Sequence, residues 1–283
     1  MTGLDDTADP ASGVVAARAC GRASRWRRRF EAAAALTVAV TATWIAGASG
    51  TGAVDGPSGS SSYRLATLDN GAAAAWEPCR TVRWSVNLRG APEGALEDVR
   101  VAVEKAGRAS GLRFSYTGQT EAVPQQSWVD DGWPADTADL VLAWAVSPRA
   151  TSAERSAAPG APVSDLLSRD PHEDAVGGWY AEYSNISSDG GNEAARITAG
   201  YVVLDASAAA KFYPGLRPED GPLTGGRPPL VRLLMHELGH TMGLEHVNDE
   251  RQVMSSRISS RKGAWGLGDR AGLAATGGTC PPR

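Results

Sequence analysis

Three of the four histidines in this 283-residue chain fall within eleven residues, HELGHTMGLEH (236–246). The stretch leading into them, RPPLVRLLMHELGHTMG, reads as a helix, with Pro228 and Pro229 tolerated around its first turn. On a helix His236 and His240, four residues apart, project from one face one turn apart. Gly243 then stops the helix, because glycine readily takes the left-handed conformation that reverses a chain. The reversal brings His246 back toward the other two. Any fold for this sequence must therefore fit a helix end and a tight return into one small volume.

Two imidazoles at that spacing can grip one metal ion, and a third adds the next corner of a tetrahedron. Three protein ligands leave a fourth position open, which distinguishes catalytic zinc sites from closed structural ones. Glu237 lies between the first two histidines in sequence and is turned aside on the helix. It can reach a water at the open position without being a ligand itself. A lone H-E-x-x-H arises by chance. Five specified residues on a helix that ends at a glycine are a much stricter requirement, and they read as a site. His172, in RDPHED (169–174), has no such company and is expected in a solvated loop.

The front of the chain has a different character. Six of the 28 basic residues lie in the first 48 positions, against four of the 32 acidic ones, which leaves the rest of the chain at −6. A mildly acidic body without basic clusters argues against nucleic acid as a partner. RWRRRF (25–30) precedes a 15-residue apolar run, Ala32 to Ala46, and AGA (46–48) has the small residues of a cleavage site. Residues 1–30 read as a basic cytoplasmic region and 31–48 as a signal peptide core with its cleavage site, giving a secreted protein. The alternative is a retained membrane anchor with the catalytic domain outside, although the run is short for a bilayer span. Residues 49–75, rich in Gly and Ser, read as a flexible linker, and the folded domain is expected over 76–283.

Within that domain TVRWSVNL (81–88) alternates as a strand does, and residues 90–111 show helical spacing that closes at Gly111. LRFSYTG (112–118) alternates again. ADLVLAWAV (138–146) is nearly continuous in apolar residues, as a central strand buried on both faces would be. RITAGYVVLDAS (196–207) is a further strand, AVGGWYAEYS (175–184) a short edge strand, and 147–174 an irregular surface loop. Trp179 is assigned to packing. The order gives a mixed α/β (α+β) domain with a twisted mixed sheet, an active-site helix and a C-terminal helix.

HELGHTMGLEH is identified as the metzincin zinc-protease signature, and the chain resembles the matrixin branch. Met254, eight residues past His246, stands where matrixins place their Met-turn. CRTVRWSVNL, ADLVLAWA and GYVVLDAS look like the first, third and fifth strands of the matrixin domain. GDRAGL (268–273) looks like the start of its last helix, with Asp269 buttressing the Met-turn. The resemblance implies one catalytic Zn2+ on His236, His240 and His246, with Gly243 as the helix stop. Glu237 would be the general base of peptide hydrolysis, and a polypeptide substrate would lie extended along an edge strand. Calcium is compatible with the resemblance but not indicated, and a monomer is expected. Ser256 stands where astacins and serralysins carry a metal-binding Tyr, which disfavours those branches.

Cys20 belongs to the export segment, so Cys79 and Cys280 remain at the two ends of the exported body. In an oxidising compartment they are expected to form one disulfide. The competing functional reading is a catalytically degenerate protein- or wall-binding module on the same fold. Retention of Glu237 weighs against it, because a binding site has no need of a base.

Overall fold

A computed structural model describes residues 53–55, 62–67, 73–168, 174–183, 195–212, 229–256 and 263–277. Its centre is a five-stranded mixed sheet formed by β3 (Thr81–Asn87), β4 (Arg113–Gln119), β5 (Leu140–Ala145), β6 (Ala175–Tyr183) and β7 (Ala195–Asp205). The spatial order is β4-β3-β5-β7-β6. The first four are mutually parallel, and β6 runs antiparallel to β7 along one edge. β5 is buried at all six positions, as its unbroken apolar sequence requires of a strand covered on both faces.

Helices α1 (Ala95–Ser110) and α4 (Leu230–Thr241) pack against each other, and α4 also packs against β6. All twelve residues of α4 are buried: its leucines, Val231 and Met235 pack into the core, while Arg232, His236, Glu237, His240 and Thr241 are buried polar groups. Burial of side chains such as Leu230, Leu233, Leu234 and Leu238 stabilises the fold by about 1.5–3 kcal/mol each. The C-terminal helix α5 (Leu267–Gly277) packs against α1. Trp76, fully buried, donates its indole N–H to Thr241 O at 2.8 Å and so ties the approach to β3 to the end of α4.

Two expectations need correction. The segment 49–75 is not wholly a flexible linker. It supplies β1 (Ala53–Asp55) and β2 (Arg64–Ala66), which join β8 (Leu244–Glu245) in a second, three-stranded sheet. The folded body therefore begins ahead of Trp76. Strands of three residues flanked by Gly and Ser carry too little periodicity to be read. Nor is the expected irregular surface loop 147–174 irregular over residues 147–168, although Ser152–Ala157 is exposed as expected. It contains α3 (Ser152–Ala157), started by a reciprocal capping box between Thr151 and Glu154. A 3-10 turn, Asp165–Ser168, follows, and Leu166 and Leu167 are buried in it against Val176, Tyr201 and Val203. α2 (Gln126–Asp130) is a further short helix not anticipated from sequence. Among the described residues no helix is long and apolar enough to cross a membrane. Residues 1–48, on which the expected export segment falls, His172 and Cys280 lie outside the described residues.

Candidate metal centre

α4 ends where the sequence requires. Met242 N–H donates back to Leu238 and Gly239, and Gly243 N–H donates to His240 O at 2.9 Å. Gly243 has φ +85°, and a Cβ there would stand 2.6 Å from Ala74 O. Two independent demands, a left-handed backbone and a close neighbour, therefore fall on this one glycine. The chain returns through β8 and delivers His246 to the face of α4 that carries His236 and His240.

The three side chains converge through their Nε2 atoms. His236 Nε2 and His246 Nε2 are 3.0 Å apart, and His240 Nε2 and His246 Nε2 are 3.2 Å apart. The far nitrogens of the two helical rings are committed elsewhere: His236 Nδ1 lies 2.7 Å from Val253 O and His240 Nδ1 lies 2.8 Å from Leu244 O. A carbonyl oxygen can only accept, so each Nδ1 carries the hydrogen and the neutral ring presents a bare Nε2 lone pair. Lone pairs facing one another at this distance repel unless something positive lies between them. A single shared proton can relieve one contact; a metal ion relieves all of them together.

Burial reinforces the neutral state. It pushes His236 down to about 3, with the neighbouring His246 adding to the effect. His240 is driven well below the ordinary histidine value by burial and then by His246 and His236. Burial lowers His246 as well. Neutral imidazoles are the form that binds metal. These three residues are close enough to hold one ion, and an all-imidazole set suits zinc, copper, iron or nickel better than the oxygen-seeking calcium. The donor set fits a metal.

The expected Met-turn residue, Met254, packs against α4 at Gly239, next to His240 in the chain. A Cβ on Gly239, between the two helical histidines, would stand 2.2 Å from Met254 Sδ, so the thioether occupies the space that the glycine leaves. Val247 N–H donates to Met254 O at 2.9 Å, which joins the His246 strand to the same turn. Asp269, in the first turn of α5, accepts from Val253 N–H at 2.6 Å, Met254 N–H at 3.2 Å and Gly266 N–H at 2.7 Å. Because Val253 O in turn receives His236 Nδ1–H, the carboxylate sits two bonds behind a candidate ligand. Such supporting partners orient ligands and tune their affinity.

Glu237 is buried and follows His236 on α4. Gly177 of β6 packs onto its backbone, where a Cβ would meet Glu237 O at 2.3 Å. Its neighbour Gly178 faces the other side, where a Cβ would stand 2.4 Å from the Tyr201 hydroxyl. The Gly-Gly pair thus serves both faces of the edge strand. The adjacent Trp179 is half-buried and packed against the main core, as its assignment to packing expects. The carbonyls of Val253 and Leu244 were also not anticipated, since backbone acceptors leave no residue-type signal. The expected Cys79–Cys280 pairing falls on Cys280, outside the described residues. No protein-family model matches the sequence, and no curated protein is similar to it.

Proposed function

We propose that the protein is a secreted zinc endopeptidase of the metzincin kind. His236, His240 and His246 would hold the zinc and Glu237 would act as general base. The observation that carries the reading is the convergence of the three Nε2 atoms, those of His236 and His240 left bare by their Nδ1–H bonds, on the helix that also carries Glu237. Nitrogens about 2.0–2.1 Å from a tetrahedral zinc stand roughly 3.3 Å apart, close to the separations of 3.0 and 3.2 Å found here. The place of Met254 under Gly239, and of Asp269 behind the Met254 turn, also supports the matrixin resemblance.

Zinc, when bound, supplies a Lewis acid that polarises a carbonyl and makes water nucleophilic near neutral pH. The chain's own residues do the rest. Glu237 takes the proton of the attacking water and delivers it to the departing amine, the acid–base work of both halves of hydrolysis. The edge strand β6, antiparallel to β7 and pressed against Glu237 at Gly177, is the place for a polypeptide to lie extended as an added strand.

Replacement of Glu237 tests the assignment. Glu237→Gln should keep its zinc and lose peptide cleavage by about 10²-fold or more, measured on an unfolded polypeptide beside zinc analysis of the same preparation. A fully active glutamine variant would refute the role given to Glu237.

A further inference from the structure

The helix fixes only two of the three candidate ligands. His236 and His240 are set by the geometry of α4, whereas His246 depends on whatever holds the return after Gly243. Residues ahead of Trp76 do much of that holding. Arg64 and Leu65 pair antiparallel with Glu245 and Leu244, the two residues immediately before His246. Ala66 N–H donates to Gly243 O at 2.8 Å, and Ala74 N–H donates to Ala66 O at 2.8 Å. Farther along the return, Gln252 Nε2 donates to Ser62 O at 2.8 Å.

The same residues fill space left by glycines of α5. A Cβ on Gly268 would stand 1.9 Å from Ser62 O, and one on Gly272 would stand 3.1 Å from Tyr63 Cβ. Segment 62–66 is thus wedged between the metal-site return and the helix that carries Asp269. Backbone pairing of this kind fixes register along a strand, and a one-residue slip of β8 would turn His246 away from its partners.

We propose that the strand Arg64–Ala66 is a positioning element for the third metal ligand, so that metal affinity depends on residues preceding Trp76. This rests on the metal-binding half of the reading above and does not require peptide hydrolysis. The test is zinc affinity of the full chain, measured by competition with a chromophoric chelator in four proteins: parent, Ala66→Pro, His246→Ala and the double variant. Proline at 66 removes the N–H that bonds Gly243 O.

With His246 present, Ala66→Pro should weaken zinc binding about tenfold or more, the usual effect of losing a supporting partner. In the His246→Ala background it should change nothing, because no third ligand is left to misplace. Unchanged affinity in Ala66→Pro, or the same loss in both backgrounds, overturns the proposal. If Ala66→Pro does not fold, Gln252→Leu, which removes the donor to Ser62 O, enters the same cycle with the same two outcomes. A parent chain that takes up no zinc overturns the metal-binding reading itself. That result is distinct from a parent that binds zinc regardless of residue 66.

Discussion

Gly177 lies flat against Glu237, with a Cβ at position 177 falling 2.3 Å from the Glu237 carbonyl oxygen and 2.9 Å from its Cα. Edge strand and helix therefore meet backbone to backbone at the residue assigned as base. The helix cannot retreat, because every residue of α4 is buried. Gly177→Ala should force the two apart at a cost of about 1–3 kcal/mol and lower kcat/KM, while zinc stays bound. Thermal unfolding, zinc analysis and peptide cleavage on one preparation check all three. Parental Tm and parental activity in the alanine variant would contradict so close a contact.

Asp269 should be the most costly polar residue to remove outside the histidines. Burial holds its carboxyl above the ordinary aspartate value, against the opposing effect of the backbone N–H groups of Val253, Gly266 and Met254. Asp269→Ala leaves those three donors without their acceptor. At about 1–3 kcal/mol for each buried donor left unpaired, a loss of about 3 kcal/mol or more is expected in urea unfolding. Zinc affinity should fall as well, through Val253 O and His236. Asp269→Asn keeps one acceptor oxygen and should lose less. An alanine variant within about 0.5 kcal/mol of the parent, the range of an ordinary surface change, would contradict the buttressing role.

Acid should destabilise the metal-free protein. The rings of His236, His240 and His246 are all held below the ordinary histidine value, chiefly by burial, and His236 reaches about 3. The unfolded chain takes up protons on these rings near pH 6.5, whereas in the folded chain His236 does so only at about 3, His240 only well below its ordinary value, and His246 is shifted in the same direction. The unfolded state thus binds more protons between about 6.5 and about 3, so stability is lost as pH falls through that window. The slope is up to about 1.4 kcal/mol per pH unit for each ring that folding keeps neutral. Urea midpoints of chelator-treated protein at about pH 7.5 and about pH 5 measure it, with the m-value as a check on two-state unfolding. A midpoint that does not move would contradict the burial of these rings as neutral donors.

How legible these features were depended on whether a residue type or a period betrayed them. The mixed sheet could be read from the alternation of 81–88 and the unbroken apolar run of β5, and the helical histidines from their spacing ahead of Gly243. The pairing of Arg64 and Leu65 with Glu245 and Leu244 could not be read, since a three-residue strand has no period and its partner is remote in sequence. α3 was hidden by Ala-, Pro- and Ser-rich composition, although Thr151 and Glu154 spell the capping box that starts it. The closeness of Gly177 to Glu237 is a tertiary fact. Its only trace is a glycine pair inside a strand, which can mark a close backbone approach.

The most direct measurement is cleavage of an unfolded polypeptide by the purified full chain before metal removal, after chelation and after zinc is restored. Cuts at internal peptide bonds should disappear with chelator, return with zinc, and be absent from Glu237→Gln under all three conditions. Cleavage that survives chelation, or a zinc-loaded chain that cuts nothing, would contradict a zinc endopeptidase built on His236, His240, His246 and Glu237.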